Sequence, residues 1–403
     1  MHHSYLAFAI PLFLFFIGLE YYYSKKKNKN FFHFAESVAN LNVGIAERLT
    51  DVFTIVPFYY FFEYIHLNFR IFNITGSAFT WVLLFLFTDF IWYWYHRFAH
   101  EINFLWAAHI VHHQSEDFNF TTSARITVFQ ASIRCLFWGV LPLIGFDPAM
   151  IAIFLLIHGI FPFFIHTQTI GKLGIIEKLF VTPSHHRVHH SSNPQYLDKN
   201  YGDVFIIWDK MFGTFVEENE QPIYGLTKPI KSYSFLWQHF HYPLEIYFAA
   251  KKSKGIKNKL KIIFGSPATL DPSIRVYLER YFLTKKVFLK PTSVHKSYII
   301  GQTILSLSLL FCLIFFYNNL TTLTVAFLSL FILLSIINTG AILEQQSWIF
   351  YLENIRIFIC MLFCWLKFPN GFLMLIIFSF SVLIVYYFKK FERGYKRILF
   401  TQS

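Results

Sequence analysis

The stretch HRFAHEINFLWAAHIVHH, residues 96–113, places five histidines directly after an apolar run. They have two spacings, H-x-x-x-H and H-x-x-H-H, and they are His96, His100, His109, His112 and His113. Positions i, i+3 and i+4 of a helix lie on one side, so each set can direct its ring nitrogens at one point. The stretch therefore predicts a helical segment that presents imidazoles to a bound ion.

The H-x-x-H-H spacing occurs again in TPSHHRVHH, residues 182–190, at His186, His189 and His190. With 18 histidines in 403 residues, chance predicts about 0.04 copies of this spacing. Histidines that serve only as polar residues at a membrane interface are therefore a poor explanation. His185 in the same tract is either a further ligand or a supporting residue.

The composition indicates a membrane protein. The chain is 55% hydrophobic and 14% charged, whereas a soluble domain has about 25% charged residues. We therefore expect an all-α, polytopic membrane protein with eight or nine transmembrane helices. Of the candidate stretches, the second, with three charged residues near its start, and the short eighth are the weakest. The stretches able to cross about 30 Å of hydrocarbon are residues 5–23, 41–62, 77–95, 126–146, 148–167, 297–317, 320–338, 350–367 and 370–388.

Basic residues predict which side of the membrane the histidines face. The first apolar run is followed by four lysines, Lys25, Lys26, Lys27 and Lys29. Because basic residues stay on the cytoplasmic side, we expect a retained first helix with its N-terminus outside. Alternation from there puts all the histidine clusters on the cytoplasmic side of a bacterial inner membrane or an endoplasmic reticulum. The net charge of +12 is then mostly a topology signal and does not imply nucleic acid.

The number of histidines predicts two metal ions. With His166, at the inner end of an apolar segment, nine imidazoles reach one membrane face. Imidazole suits zinc, copper, iron and nickel alike, but a mononuclear zinc hydrolase needs only three protein ligands and a water. An all-nitrogen pair beside the bilayer therefore favours iron and oxygen chemistry.

Three stretches together resemble a known family: residues 96–125, the tract PSHHRVHH, and NYGDVFIIWDKMFGTF. They are similar to the fatty acid hydroxylase/sterol desaturase superfamily of membrane di-iron enzymes, which an eight-histidine pattern defines. The Glu after the second histidine, the SEDFN run and the long final tract are most similar to its ether-cleaving branch, the alkylglycerol monooxygenases. The resemblance covers residues 35–220 approximately, and the C-terminal membrane block agrees only in kind.

The resemblance implies the ligands and cofactors of the site. Four residues before His166, where relatives place another ligand, this chain has Pro162, so one iron would keep an open or water-filled position. The electron donor would be tetrahydrobiopterin, a diffusible pterin, and the other reactants would be O₂ and a membrane lipid. The implied iron ligands are His96, His100, His109, His112, His113, His166, His186, His189 and His190.

Three carboxylates are candidate supporting or catalytic residues. Asp89 lies seven residues before His96, two turns away on the same helix face, and could fix the tautomer of a ligand histidine. Asp209 is a similar candidate. Glu101 follows His100 and points about 100° away from it, so we expect it to hold the reduced pterin rather than iron. An ordinary helix-end or interfacial carboxylate is the alternative for Asp89 and Glu101.

The predicted function is oxidation of a lipid C–H bond, with O-alkylglycerol ether cleavage as the implied reaction. Sterol desaturation and lipid or carotenoid hydroxylation by the same iron pair are the alternatives. A metal transporter is a third, and it predicts ionisable residues along a pore and often repeated halves. The ionisable residues that we consider for such a pore are Asp89 and His158, and the apolar segments show no repeated halves. We expect His158 to be a neutral, hydrogen-bonded helix contact.

The predicted organisation has four regions. Residues 1–76 form N-terminal membrane helices, and residues 77–220 form a fatty acid hydroxylase-type catalytic region. Residues 221–296 form a basic amphipathic segment on the cytoplasmic side, and residues 297–403 form C-terminal membrane helices.

Overall fold

The structure is a computed structural model, and it describes residues 3–283 and 290–401. Residues 284–289 of the predicted amphipathic segment lie outside the described residues. The chain divides into two compact units. The histidine unit comprises residues 14–231 and 237–280, and the C-terminal unit comprises residues 1–13, 232–236 and 281–403.

Among the described residues the regular secondary structure is helical except for two short strands, which confirms the predicted all-α class. Up to residue 283 the α-helices are α1 (Ala9–Lys26), α2 (Phe34–Phe69), α3 (Ala78–Glu101), α4 (Asn103–His109), α5 (Phe120–Ser123), α6 (Gln130–Trp138), α7 (Val140–Ile144), α8 (Pro148–Ile165), α9 (Pro183–His189), α10 (Ile207–Met211), α11 (Phe235–Lys252), α12 (Ile256–Ile263) and α13 (Pro272–Phe282).

The C-terminal unit adds the α-helices α14 (Ser293–Phe315), α15 (Thr322–Leu343), α16 (Ile349–Lys367), α17 (Gly371–Tyr386) and α18 (Phe388–Leu399). Two short strands, β1 (Lys290–Pro291) and β2 (Phe400–Thr401), pair antiparallel. Short 3-10 helices connect the larger elements at His3–Phe8, His112–Gln114, Gly174–Lys178, Pro194–Tyr196, Pro267–Thr269 and Tyr317–Asn319.

Fewer helices qualify as membrane spans than the sequence predicts. Within residues 3–283 and 290–401, six helices are long and apolar enough, or seven if α17 and α18, bent by 80°, form one span. The predicted span at 41–62 belongs to the 36-residue helix α2. Charged residues and tyrosines interrupt the apolar sequence of this helix. The predicted span at 126–146 contains the short helices α6 and α7, which together cover only Gln130–Ile144 and are too short to count as a span.

Local sequence signals set the ends of the helices that carry the site. Ser77 and Thr80 form a capping box at the start of α3, in which each side chain accepts a hydrogen bond from the other's backbone N–H. Asp147 caps α8 by accepting from the N–H of Ala149 at 2.7 Å. Gly145 makes the turn before α8 at φ 126°, and a Cβ there would lie 2.0 Å from the carbonyl oxygen of Phe72.

A buried apolar cluster fixes α3 against its neighbours in the histidine unit. It joins α2, α3 and the helices α6 to α8 through Phe62, Leu84, Tyr95, Trp138, Leu141, Phe146, Met150 and Ile151. Because Tyr95 belongs to this cluster, the packing also positions the C-terminal end of α3, which carries the first two histidines of the site.

Candidate metal centre

The nine histidines predicted as ligands lie in the histidine unit, close to helix ends. Eight of them are buried, and the side chain of His100 is 8% exposed. His96 and His100 lie in the last two turns of α3, His109 ends α4, and His112 and His113 lie in the 3-10 turn after it. His166 directly follows α8. His186 and His189 lie in α9, and His190 is the C-terminal cap of that helix.

The histidines form two adjacent groups, in each of which the possible ligand atoms lie within 4.8 Å of one another. The two groups meet where the rings of His113 and His190 stack with their centroids 4.4 Å apart. The first group is His96, His100, His109, His113 and His189. The second group is His112, His166, His186 and His190.

The expectation that each H-x-x-H-H triplet aims at one point is wrong. In both triplets the i and i+4 histidines stay together, and the i+3 histidine joins the other group. On an α-helix, positions i+3 and i+4 point about 100° apart. A triplet can therefore contribute to two neighbouring sites at once, and the two triplets tie the groups together.

Carbonyl oxygens fix the orientation of five of these rings. A carbonyl oxygen can only accept a hydrogen bond, so Nδ1 carries the proton and Nε2 keeps a free lone pair. Proteins orient metal-binding imidazoles in this way. The Nδ1–O contacts are His96 to Tyr201 (2.8 Å), His109 to the side chain of Gln130 (3.2 Å), His112 to Arg125 (3.1 Å), His166 to Pro162 (2.5 Å) and His189 to Lys199 (2.9 Å).

The Nε2 atoms of these rings face one another. The Nε2 atoms of His96 and His109 lie 2.9 Å apart, and those of His112 and His166 lie 3.2 Å apart. Two lone pairs at this distance repel unless a cation lies between them. Two nitrogens at right angles on one ion, each at about 2.1 Å from it, are themselves about 3.0 Å apart. The donor set therefore fits transition-metal ions, of which imidazole suits iron, zinc and copper.

Burial keeps the imidazoles neutral. Loss of hydration lowers the pKa of His109 to about 3 and that of His166 to about 4. The neutral ring is the form that binds a metal ion. Burial, followed by repulsion from neighbouring histidines, also lowers the pKa values of His112, His113, His186, His189 and His190.

Two buried arginines, which the histidine spacing does not predict, hold the segments that carry the histidines. Arg125 donates through Nε to the carbonyl of Val111 and through Nη2 to the side chain of Gln114, both at 2.7 Å. Arg187 in α9 makes a two-pronged ion pair with Glu218 at 2.7 and 2.6 Å. The signal for Arg187 was its place between the histidine pairs of HHRVHH.

Asp209 contacts the backbone that orients a histidine of the first group. Its carboxylate accepts from the N–H groups of Tyr201 and Gly202, both at 2.7 Å. Because the carbonyl of Tyr201 binds Nδ1 of His96, Asp209 acts on that ring through one residue of backbone. This arrangement is compatible with the supporting role predicted for Asp209.

Asp89 belongs to a third buried group, with His158 and Asp203. It accepts from the N–H of Val204 and the indole N–H of Trp208, and the imidazole that it approaches is His158, at 3.8 Å, rather than a predicted ligand. Nδ1 of His158 lies 2.5 Å from the carboxylate of Asp203, which leaves room for a shared proton and not for a metal ion. Asp203 was missed because its partners are remote in sequence.

Glu101 and His185 lie outside all three groups of possible ligands. The Glu101 carboxylate accepts from Nε of Arg97 at 2.9 Å, and its side chain is 45% exposed. His185 is buried with its ring 5.6 Å from that of Phe215. The structure thus brings together the nine predicted ligands and separates Glu101 and the ambiguous His185 from them.

The chain is similar to enzymes that act on lipids. The family model for fatty acid hydroxylase matches residues 81–214. The chain is 40% identical to alkylglycerol monooxygenase of Homo sapiens over 237 residues, which are 58% of this chain and 52% of the human protein. It is 36% identical to alkylglycerol monooxygenase of Danio rerio over 343 residues, which are 81% of this chain and 74% of that protein.

A more distant relative is the ornithine lipid hydroxylase of Rhizobium tropici, which is 32% identical over 145 residues. That match covers 34% of this chain and 42% of the relative. The chain spans about half the length of the human protein it matches. No solved structure matches the chain.

Proposed function

The chain belongs to the fatty acid hydroxylase family, and on that premise we propose that it is a membrane di-iron monooxygenase that cleaves O-alkylglycerols. The carbon next to the ether oxygen is hydroxylated, and the resulting hemiacetal separates into a fatty aldehyde and a glycerol derivative. One atom of O₂ enters the lipid and the other leaves as water. Tetrahydrobiopterin supplies the two electrons that this balance requires.

The pairing of Nε2 lone pairs in two adjacent histidine groups carries the proposal. One iron ion would be held by the first group and the other by the second group, and the bound pair supplies the activation of O₂. The protein's own contribution is orientation and exclusion of water. The carbonyl of Tyr201 turns His96 toward its group, and the burial of the rings removes competing solvent.

We place the metal centre on the cytoplasmic side, where a diffusible pterin can reach it. Lys25 and Lys26 end α1 and Lys27 and Lys29 follow it, and that end of the helix lies beside the segments that carry the histidines. Glu20 of α1 accepts from the N–H of Phe120 at 2.7 Å. The N–H of His33 donates to Asp117 at 2.7 Å. Because basic residues favour the cytoplasm, the lysines support this orientation.

Hydroxylation of a lipid without ether cleavage is the second candidate. It is favoured by the similarity to the ornithine lipid hydroxylase over 145 residues. Both candidate reactions use the same histidines. They differ in whether the hydroxylated product stays intact or separates into an aldehyde and a glycerol derivative. The similarity to alkylglycerol monooxygenase covers more of the chain and favours the ether-cleaving reaction. The metal transporter considered from the sequence has no support from these relatives.

Product analysis tests the proposal. Membranes that contain the protein are incubated with 1-O-alkylglycerol labelled in the alkyl chain, O₂ and tetrahydrobiopterin. We expect labelled fatty aldehyde that depends on both co-reactants, and its loss in His113→Ala. The matched control is His66→Ala, because His66 lies outside the three groups of possible ligands and its ring contacts Arg70. An intact hydroxylated lipid would favour the second candidate, and no oxidised product from an iron-loaded protein would contradict both.

A further inference from the structure

Residues 251–261, at the end of α11 and in α12, carry a concentration of positive charge that the metal centre does not use. This tract, KKSKGIKNKLK, contains six lysines, and no aspartate or glutamate occurs from residue 246 to residue 270. The family model ends before it, at residue 214. Like charges at this density repel one another, so the surface that they form is suited to an anionic partner.

Helix α12 also exposes a row of large apolar side chains. Ile256, Leu260 and Phe264 occur at four-residue intervals, so they lie on one side of the helix and of its C-terminal cap. They are 72%, 46% and 59% exposed. The ring of Phe264 lies 6.3 Å from that of Phe104, which is exposed as well. Adjacent exposed apolar side chains commonly mark an interaction surface, so the partner has an apolar part.

Lysines border this apolar row. Lys257 and Lys261 each follow a residue of the row and point about 100° away from it, and both are exposed. We call Ile256, Lys257, Leu260, Lys261 and Phe264 the α12 surface. A helix with an apolar side and adjacent lysines is typical of segments that lie in the plane of a bilayer surface. Their apolar side chains reach the acyl chains and their charges stay among the headgroups.

Hydrogen bonds hold the α12 surface at the end of a membrane span. The N–H of Asn103 donates to the carbonyl of Gly265, and its side chain donates to the carbonyl of Ile262, both at 2.8 Å. Asn103 directly follows α3 and its C-terminal cap, and the 24-residue helix α3 is one of the candidate spans. A helix of this length extends about 36 Å, which is about 6 Å more than the hydrocarbon of a bilayer. The end of α3, and α12 with it, is therefore expected among the headgroups.

We propose that the α12 surface binds the anionic headgroups of the surrounding bilayer, on the side of the metal centre. Ile256, Leu260 and Phe264 enter the boundary between headgroups and acyl chains, while the lysine ammonium groups contact lipid phosphates. Nucleic acid would satisfy the lysines but leave the apolar row in water, whereas a bilayer accommodates both. Because Asn103 begins α4 and His109 ends it, the same contact fixes a histidine-bearing helix against the membrane. This surface does not depend on the reaction proposed for the histidines.

Hydrogen–deuterium exchange of the iron-loaded, full-length protein in lipid nanodiscs tests this contact. One kind of disc contains phosphatidylcholine alone, and the other contains equal parts of phosphatidylcholine and phosphatidylglycerol. The rate of amide exchange measures the cost of local opening. We expect residues 256–264 to exchange more slowly in the anionic discs, by about fivefold for each lysine at the surface, and high salt should remove the difference. Residues 183–190, which are buried, should exchange equally in both kinds of disc.

Two double variants separate the effect of charge from that of folding. Lys257→Gln with Lys261→Gln removes both charges beside the apolar row and should reduce the effect of anionic lipid by about tenfold or more. Lys257→Arg with Lys261→Arg is the matched control, because it keeps both charges, and it should keep the full effect. Ile256→Gln removes an apolar side chain that the protein leaves exposed and should speed exchange in both kinds of disc. Unchanged exchange of residues 183–190 shows that each variant is folded.

Equal exchange of residues 256–264 in the two kinds of disc at low salt would overturn the proposal. A full lipid effect in the glutamine double variant, or unchanged exchange in Ile256→Gln, would also overturn it. Added polyglutamate represents the alternative partner. Slower exchange with polyglutamate in neutral discs, without a difference between the two lipid compositions, would assign the α12 surface to an acidic protein instead.

Discussion

The carbonyl oxygen of Tyr201 lies 2.8 Å from Nδ1 of His96, and the N–H of the same tyrosine donates to Asp209 at 2.7 Å. A loop residue therefore connects a buried carboxylate to a histidine of the first group. Two carboxylate oxygens of Asp209 serve three donors, Tyr201, Gly202 and Thr214, so the loop is held at several points around this ring.

Asp209→Asn should loosen this loop. The new amide nitrogen cannot accept, so at least one buried donor loses its partner, at a cost of about 1–3 kcal/mol in the free energy of unfolding. We expect a lower melting temperature and less bound iron. The control is Asp147→Asn, since asparagine caps a helix as well as aspartate does. Equal iron content in both variants would remove Asp209 from the support of the site.

Gly145→Ala should disrupt the turn that leads into α8. Its φ of 126° disfavours any other residue, and the added Cβ would lie 2.0 Å from the carbonyl oxygen of Phe72. We expect a severe loss of folded protein, measured as monodisperse yield in detergent. Gly159→Ala within α8 is the control, because no atom lies within 4 Å of its added Cβ; alanine there should be neutral or slightly stabilising. Similar yields for both variants would contradict the described turn.

Acid should destabilise the metal-free protein. The folded pKa values of His109 and His166, about 3 and about 4, lie below the value of about 6.5 in an unfolded chain. As the pH falls below about 6.5, these histidines bind protons in the unfolded chain but not in the folded chain. The free energy of unfolding therefore falls until the pH reaches their pKa values in the folded protein. At pH 5 each such histidine costs roughly 2 kcal/mol. Melting temperatures of chelator-treated protein between pH 8 and pH 5 measure this, and a flat profile would contradict the burial of neutral rings.

Glu101→Gln tests whether the carboxylate beside the metal centre holds the reduced pterin. The glutamate lies outside the possible metal ligands and is partly exposed, so a charge-assisted hydrogen bond from a pterin N–H is sterically open to it. We expect a higher pterin requirement or lost turnover with unchanged iron. Arg97→Gln is the comparison, because it removes the partner of Glu101 and keeps the carboxylate. An unaltered pterin titration would leave an ordinary interfacial glutamate, and parallel loss of iron would indicate structural support.

Histidine spacing predicted the members of the site but not their division between two groups. Spacing identifies residues that share a helix face, and the eight histidines predicted from it are brought together with His166, which was predicted from its place at the end of an apolar segment. The division of the histidines between the two groups depends on where α4 and α9 end and on the segments packed against them. The spacing of histidines in the sequence gives no information on either. Partners distant in sequence were also missed, such as Arg187 with Glu218 and Asp89 with Val204, because nothing local links them.

Hydropathy predicted where the apolar helices lie more reliably than how many of them are able to cross the membrane. The mean hydropathy of residues 41–62 in α2 is that of an apolar stretch. The helix nevertheless extends over 36 residues, and its buried half contains the charged residue Glu47. Average composition cannot distinguish a crossing from a helix that packs inside the protein. The predicted span at 126–146 is likewise apolar, but its helical part, Gln130–Ile144, is too short to cross.

Iron per chain, measured by elemental analysis of the purified protein, tests the two-ion centre most directly. We expect two irons in the unaltered protein and about one in His189→Ala, which alters the first group, or His186→Ala, which alters the second. The double variant should hold none, and His66→Ala should keep both. A single iron per unaltered chain, or two irons retained in both single variants, would contradict the account.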